Sequence, residues 1–503
     1  MPGPPDRPSR DEPGRASFPA DAPGTEEVPV VNWPALWRDR VAHRVHHSDR
    51  YARWVLGTAL AGMFAVGFTI TVLAVSIGDI ADDLGSSDAA LTWVVSGPLL
   101  AVALTMPLFG KLGDVRGHRR MYLWGFATFA VFTAACALAW NAPSLIVLRL
   151  LAAAGGAATG PASMALIMQA YPIEDRVKAM GWWSLVGAGA PVIGVVAGAP
   201  IIDAFGWRWI FLAQAPISLG ALLLAVLVLR ETPRRPHEPV DVAGAALLAT
   251  GTVSALLALD RGAAGGWAQP LVIGLLVVSP LAFAAFVRAE RRALHPLLPP
   301  EYFARRNFTA PLVAQFGSNF AYMGGFIVTP FLMRDVFDYS LRATGYVMLC
   351  RPLTFSIFAP VAGYLTVRVG ERRAAVAGTA AVVASMVIFA IAADQQLVGV
   401  VIVGLVLSGL GLGASSPALV SSVANTVGEG DLGVANAAQQ TVTQIGVVAG
   451  IQIMSAIQAS SGGTGPFVVA YLVGGALATV GVVGATFVRS AERPRALRVV
   501  DAA

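Results

Sequence analysis

The sequence has few of the residues that a soluble protein or a metal site needs. Only 13% of its 503 residues are charged, whereas 56% are hydrophobic; an average soluble domain carries about 25% charged residues. Such a chain cannot bury its apolar surface in one globule, so we expect it to lie in a lipid bilayer. The two cysteines, Cys136 and Cys350, stand singly in apolar runs, without the spacing of a redox pair or a metal site.

Two further absences exclude classes of activity. No G-x-x-x-x-G-K-[ST] phosphate loop occurs in the chain, which disfavours an ATP-driven pump. All six histidines lie outside the long apolar runs, so no predicted span carries the clustered histidines or carboxylates of a membrane-embedded enzyme. We therefore predict neither an enzyme nor a bound cofactor or metal.

Long apolar runs make up most of the chain. Runs of about 20 apolar residues, the length that crosses a hydrocarbon core, recur from residue 54 to residue 488. Because backbone groups in lipid must be paired within the segment, unbroken runs predict helices and argue against a β-barrel. We predict an all-α membrane protein with 14 transmembrane helices. The predicted spans are 54–77, 91–110, 121–140, 144–169, 180–202, 208–229, 241–259, 270–288, 309–333, 343–367, 374–392, 397–418, 432–457 and 466–488.

Positive charge alternates from loop to loop. The formal net charge of +5 comes from arginines in short loops, whereas the loop with Asp79, Asp82, Asp83 and Asp88 has no cation. Cation-rich loops face the cytoplasm, so we predict a multi-pass protein of the plasma membrane with both termini cytoplasmic. Since topology accounts for these charges, we predict no nucleic-acid partner.

The chain divides into six predicted segments. Residues 1–32, rich in Pro, Gly and charge, are expected to form a disordered cytoplasmic tail. Residues 33–53 have the pattern of an amphipathic helix on the inner membrane surface, although an ordinary basic segment is the alternative. The other segments are an N-terminal six-helix half (54–230), a linker with inserted helices 7 and 8 (231–300), a C-terminal six-helix half (301–489) and a cytoplasmic tail (490–503).

An internal repeat relates the two halves. The segment MPLFGKLGDVRGHRRMYLWG from residue 106 aligns without gaps to APVAGYLTVRVGERRAAVAG from residue 359, at a constant offset of 253 residues. This offset carries helix 2 onto helix 10, so the repeats are helices 1–6 and 9–14. Two parallel halves around a shared cavity are the arrangement of an alternating-access transporter. Asp114 corresponds to Val367 across the repeat, so the halves differ in charge.

The stretch FGKLGDVRGHRR, residues 109–120, resembles the signature G-x-L-a-D-r-x-G-r-r between helices 2 and 3 of the major facilitator superfamily. Over about residues 54–488 the chain is similar to that family's fourteen-helix drug:proton antiporter branch. The resemblance implies a cytoplasmic gate in which Asp114 accepts charge-assisted hydrogen bonds from arginines or a helix N-terminus. Charges that serve topology alone are the alternative. The gate motif comprises Gly110, Gly113, Asp114, Gly117, Arg119 and Arg120.

Predicted helix 5 contains GAGAPVIGVVAG, which resembles the antiporter signature G-x-x-x-G-P-x-x-G-G at Gly187, Pro191 and Gly194. Small residues allow close helix contact, and a proline frees a backbone carbonyl that can bend the helix. Family members with this pattern are mostly exporters, so the resemblance implies outward transport. A kinked structural helix is the alternative.

Two positions bear on proton coupling. Arg149 matches the arginine of the family's R-x-x-Q-G signature in helix 4, and a cation inside a span is a functional candidate unless it reaches the outer face. In helix 1, Thr69 stands where the family pattern has an acid, and no substitute acid lies well inside a predicted span. The resemblance implies proton antiport with Arg149 and Asp114 as coupling candidates, while Thr69 argues against it.

Polar residues inside the spans suggest where a substrate binds. Helix 9 carries amide side chains at a spacing of four, as does helix 13, so each set lies on one helical face toward a cavity or toward neighbouring helices. An arginine in helix 10 could meet an anionic group or pair with Asp335. The candidate substrate residues are Thr69, Gln315, Asn319, Arg351, Asn436, Gln440 and Gln444.

These observations predict a secondary active transporter that exports amphipathic or hydrophobic small molecules of drug-like type, by proton antiport. The alternative is a lipid or amphiphile exporter, or a facilitator without proton coupling. The expected partners are a small-molecule substrate, protons and the lipid bilayer. A monomer is the working expectation for the oligomeric state.

Overall fold

The computed structural model describes residues 48, 50–75, 77–86, 91, 93–232, 241–293, 296, 299–460 and 463–489. The regular secondary structure in these residues is helical. The predicted tails 1–32 and 490–503, and most of the segment 33–53, lie outside the described residues.

In the described part of the N-terminal half there are eight helices, because predicted helix 4 is divided and a short helix follows predicted helix 1. These are α1 (Tyr51–Val75), α2 (Ile77–Leu84), α3 (Trp93–Arg116), α4 (His118–Cys136), α5 (Ala142–Gly156), α6 (Thr159–Ala170), α7 (Ile173–Phe205) and α8 (Arg208–Val228). Two further helices, α9 (Val242–Gly265) and α10 (Pro270–Glu290), pack against each other between the halves in the sequence.

The C-terminal half is built in the same way. Its helices are α11 (Pro300–Ala304), α12 (Arg306–Asp335), α13 (Leu341–Met348), α14 (Cys350–Val369), α15 (Glu371–Gln395), α16 (Val398–Ala424), α17 (Leu432–Gln458) and α18 (Gly465–Thr486), with a 3₁₀ turn at Glu429–Asp431.

The structure corrects the prediction that residues 111–120, between predicted helices 2 and 3, form a loop. α3 continues as far as Arg116, so most of the gate motif is helical. The chain leaves the helix at Gly117, whose φ of 98° is accessible to glycine at little cost. Gly370, at the equivalent place between α14 and α15, has a φ of 92°. The two repeats therefore turn in the same way.

Two predicted boundaries also differ from the structure. Predicted helix 5 starts at 180, but α7 begins at Ile173 after Pro172, with Glu174 and Asp175 in the first turn where the helix dipole favours acids. Predicted helix 10 is interrupted at Leu349, between α13 and α14.

The all-helical arrangement is confirmed, whereas the number of spans stays a prediction. Within the described residues, nine stretches are long and apolar enough to cross a membrane by length and composition.

Each half has its own apolar core, and the halves meet through repeat-related helices. Phe126 and Met164 lie in the first core, and Phe389 and Tyr471 in the second. Between the halves, α3 packs against α17 and α14 packs against α7. Because α3 and α14 are equivalent in the repeat, the two contacts are related by the same internal symmetry.

Candidate functional site

The halves approach each other closely at one end of the bundle. We call this the motif end, defined by the turn from α3 to α4 at Arg116–His118. At the α3/α17 crossing, a Cβ on Gly110 would lie 2.6 Å from the Ala437 Cβ and 2.7 Å from the Gly433 carbonyl oxygen. The two helix backbones are therefore in direct contact, which a larger residue would prevent.

Asp114 connects the two halves at this crossing. Its side chain is buried, Oδ1 accepts a hydrogen bond from the Gly433 N–H at 2.8 Å, and Oδ2 accepts one from the Val434 N–H at 2.9 Å. Both donors belong to the first turn of α17, whose N–H groups have no acceptor within the helix and carry the positive end of its dipole. The carboxylate thus binds the helix N-terminus of the opposite half.

His118 is a contact of Asp114 that sequence reasoning missed. Its Nε2 lies 3.1 Å from Asp114 Oδ1, and both side chains are buried. Gly113 makes room for the imidazole, because a Cβ there would lie 2.5 Å from His118 Nδ1. The spacing of four residues between Asp114 and His118 is the sequence signal that could have indicated this pair.

The motif arginines contact the end of α8 and the residues just after it, not the C-terminal half. Arg119 Nη2 donates a hydrogen bond to the Val226 carbonyl at 3.1 Å, and Arg120 Nε lies 3.7 Å from Glu231 Oε2. Of the two kinds of partner expected for Asp114, the structure therefore places the helix N-terminus beside it, while these arginines bind elsewhere.

The second crossing, between α7 and α14, closes the same end. A Cβ on Gly181 would lie 2.7 Å from the Ala359 carbonyl oxygen, and one on Gly363 would lie 2.9 Å from the Val177 carbonyl oxygen. Nearby, Arg176 Nη1 of the first half donates to Asn425 Oδ1 of the second at 3.1 Å. Backbone contact closes this crossing, as it does the first.

The helix-5 motif packs α7 against α1. A Cβ on Gly187 would lie 2.7 Å from the Met63 Cε, and Gly194 faces the backbone of Phe68. Pro191 lies between these glycines and lines a cavity. The motif therefore both joins two helices of the first half and shapes an internal wall.

That cavity lies between the two halves and has a volume of about 740 Å³, within the range of small-molecule sites. Helices from both halves line it, and the walls are mainly apolar. Lining residues include Met63, Phe129, Trp183, Tyr322 and Phe326. The size and composition suit a drug-sized amphipathic molecule.

Four of the predicted substrate residues line this cavity: Gln315, Asn319, Gln440 and Gln444. Asn319 Nδ2 donates to the Gln315 carbonyl at 2.8 Å and to Gln315 Oε1 at 3.0 Å, so these two amides also bind each other. Both uses that the sequence left open, a cavity face and hydrogen bonding, are present in this pair.

Three other predicted substrate residues have different positions. Asn436 is fully buried and is not among the described lining residues. Arg351 is also fully buried, with its guanidinium carbon 3.8 Å from the centre of the Tyr322 ring. Thr69 belongs to α1, but its side chain lies outside the described part of the structure.

Sequence reasoning missed Gln439 and Thr443, which line the cavity beside the predicted amides. Gln439 Nε2 lies 3.3 Å from Thr443 Oγ1, which lies 3.5 Å from Gln315 Oε1. Successive residues lie about 100° apart around a helix, so positions 439 and 443 fall within an arc of about 140° that also holds 440 and 444. A wider window on helix 13 would have included them.

Arg149 provides the charge on the cavity wall. It is the charged residue among the described lining residues, and only 6% of its surface is exposed. Its Nε has one long contact, 3.5 Å to the Val94 carbonyl oxygen. The side chain therefore presents a cation to an otherwise apolar and amide-lined space.

Two helical halves around a shared cavity define a membrane transporter. The chain belongs to the Major Facilitator Superfamily, whose sequence model matches residues 59–450 and, a second time, residues 312–502. Its relatives place it in the drug-efflux branch of that family. The protein is therefore a transporter and not an enzyme.

Among curated relatives, the chain is 31% identical over 428 residues to the tetracenomycin C resistance and export protein of Streptomyces glaucescens, covering 84% of this chain and 78% of that protein. It is 28% identical to multidrug resistance protein 3 of Bacillus subtilis, covering 80% of this chain and 79% of that protein.

Solved structures share the fold at low sequence identity. The human organic anion transporter MFSD10 superposes with a TM-score of 0.63 at 16% identity, covering 87% of this chain and 99% of that one. The proton:xylose symporter XylE gives a TM-score of 0.63 at 13% identity, covering 87% and 95%.

Proposed function

We propose that this protein is a secondary active transporter that exports amphipathic or hydrophobic small molecules in exchange for protons. The observation that carries the proposal is the cavity of about 740 Å³ between the halves, mainly apolar and closed toward the motif end by two helix crossings. Relatives named for antibiotic export and multidrug resistance support the direction and the class of cargo.

The arginine-rich turn at the motif end supports a cytoplasmic position for that end. The protein would then span the plasma membrane 14 times with both termini cytoplasmic, and act as a monomer. In this arrangement the closed crossings would separate the cavity from the cytoplasm, so cargo bound in this conformation would leave only toward the outside. Opening the crossings would admit cargo from the cytoplasm.

Asp114 and Arg149 are the proposed coupling residues. The hydrogen bonds from Gly433 and Val434 to Asp114 depend on its negative charge. Protonation of Asp114 would weaken them and favour the state that is open to the cytoplasm. Arg149 is the second proposed coupling residue because it places a positive charge in the cavity wall.

A facilitator without proton coupling is the second candidate. Thr69 stands where the family pattern has an acid, and none of the described lining residues is Asp or Glu. This absence supports a cavity that takes up no proton of its own.

Transport by purified protein in liposomes separates the two candidates. We expect transport of a fluorescent amphipathic dye to rise with an imposed pH gradient and to fall to the passive rate when an ionophore collapses it, with protein-free liposomes as the control. Protein-dependent transport that is equal with and without the gradient would rule out antiport and leave the facilitator. Absence of protein-dependent transport for a panel of amphipathic compounds would contradict both.

A further inference from the structure

Arg351 is an unexplained cation in the core of the C-terminal half. Its side chain has no exposed surface, its polar neighbours are the hydroxyl groups of Tyr322 and Tyr471, and no described carboxylate forms an ion pair with it. The guanidinium carbon lies 3.8 Å from the centre of the Tyr322 ring and 5.8 Å from that of Phe326. Such cation–π contacts recover only part of the free energy that burying a charge costs.

The position of Arg351 relates it to the cavity. Tyr322 and Phe326, which cover the guanidinium, both line the cavity, so the cation stands directly behind the wall. Arg149 lines the cavity from the other half and is itself 6% exposed. Each half of the transporter therefore brings one buried arginine to the same space.

No described carboxylate in the cavity wall neutralises these two charges. The described lining residues include no Asp and no Glu. Between mainly apolar walls, a charge that no carboxylate neutralises acts strongly on a ligand. The wall also offers a neutral donor, since Gln315 is 2% exposed and its Nε2 has no acceptor among the described residues. Both features favour a ligand with a negative group.

We propose that the cavity binds amphipathic organic anions. The anionic group, a carboxylate or a group of similar size and charge, lies against Arg149 and toward Arg351, with the Gln315 amide as an additional donor. The apolar body of the ligand lies along Trp183 and Phe326. This inference rests on the proposed transport function and deepens it, because it names the class of cargo.

Binding to the purified full-length protein in detergent tests the proposal. Three ligands with the same apolar body are compared by calorimetry: a naphthalene that carries a carboxylate, a carboxamide or a trimethylammonium group. We expect the carboxylate to bind about tenfold more tightly than the carboxamide, since a charged pair is stronger than a neutral hydrogen bond, and the ammonium to bind most weakly. Equal affinities, tightest binding of the ammonium, or no binding of the carboxylate at millimolar concentration would overturn the proposal.

Two variants assign the preference to the arginines. In Arg149→Gln the affinity for the carboxylate should fall about tenfold while that for the carboxamide stays the same. Arg334→Gln, which changes an exposed arginine outside the described cavity wall, is the matched control and should leave all three affinities unchanged. An unchanged carboxylate preference in Arg149→Gln would contradict the proposal.

Arg351→Gln should also reduce the affinity for the carboxylate. If this variant does not fold, the proposal is tested by Arg149→Gln and by the ligand preference of the wild-type protein. The measurement uses no membrane and no gradient. If proton-coupled export fails in liposomes, the anion preference can still be measured by binding. If the anion preference is absent, the liposome result for export is unaffected.

Discussion

The two crossings that close the motif end are packed alike but differ in chemistry. Gly110 meets Gly433 at the first, and Gly181 meets the α14 backbone beside Gly363 at the second, each through backbone contact. The first crossing adds a buried carboxylate, Asp114, which binds the start of α17. Val367 stands at the equivalent position of the second.

The difference follows from where the partner helices begin. α17 starts at Leu432, so the N–H groups of the next residues are available to a carboxylate. The repeat offset carries Gly433 onto Met180, which lies about two turns inside α7 because that helix starts at Ile173. There the N–H groups already bond within the helix. The repeat thus preserves the close backbone packing of both crossings. A buried carboxylate is stabilised only at the crossing where the partner helix begins, because only there are N–H groups free to bind it.

The largest effect should come from filling the first crossing. In Gly433→Ala the new Cβ would collide with the Gly110 carbonyl oxygen and would lie 2.7 Å from the His118 Cε1. Overpacking of this kind costs about 1–3 kcal/mol. A penalty of that size, imposed on the closed state alone, shifts the equilibrium toward opening by about 5- to 150-fold.

We expect export in liposomes to be largely lost. Ser163 lines the cavity, so a cysteine introduced there, in a protein without native cysteines, should react with a polar maleimide added at the motif end faster in the Gly433 variant than in the parent. Gly220→Ala is the control, since its Cβ would meet nothing within 4 Å. Equal export by the Gly433 and Gly220 variants would show that close packing does not hold the halves together.

A smaller effect should follow from removing the charge at this crossing. Asp114→Asn keeps the size of the side chain and one acceptor oxygen, so the bonds from Gly433 and Val434 lose only part of the about 1.5–3 kcal/mol that hydrogen bonds to charged groups contribute. We expect export to fall about tenfold with normal insertion and thermal stability, which would make the first crossing resemble the second. Asp335→Asn, at a more exposed acid, should export normally. Normal export by Asp114→Asn would show that the negative charge of Asp114 is not needed for gating.

The smallest effect should come from placing an acid in the second crossing. Val367 is half-buried, and a carboxylate there would find the N–H groups of α7 already bonded within the helix. Val367→Asp should therefore leave export within about twofold of wild type, as expected for a change of a few tenths of a kcal/mol. In the Asp114→Asn background it should restore nothing. Recovery of export in the double variant would mean that the helix start does not determine the asymmetry.

Sequence reasoning anticipated the equivalence of the halves but not their contacts. The gapless match between 106–125 and 359–378 identified α3 and α14 as related helices. It could not identify α17 and α7 as their partners, since an offset states which residues are equivalent and not which surfaces touch. The helical continuation through Arg116 was also missed, because polar residues read as a loop when the burial of Asp114 is unknown.

The sequence predicts which helix faces point toward the cavity, but not which residues on those faces reach its surface. Helical periodicity placed Gln315 and Asn319 on one face, and both line the cavity. The same periodicity grouped Asn436 with Gln440, yet Asn436 is enclosed by packing. Arg351 is hidden by Tyr322 of another helix, a tertiary contact that no pattern within one helix can reveal.

The cation in the cavity wall also has an electrical consequence. Cells hold their interior at a negative voltage, and moving one elementary charge across it is worth about 2.3 kcal/mol per 100 mV. An anion that leaves beside Arg149 moves down this voltage. If the protein exports anions, the membrane voltage would drive export in addition to the pH gradient. Depolarising the membrane at constant pH would then slow export.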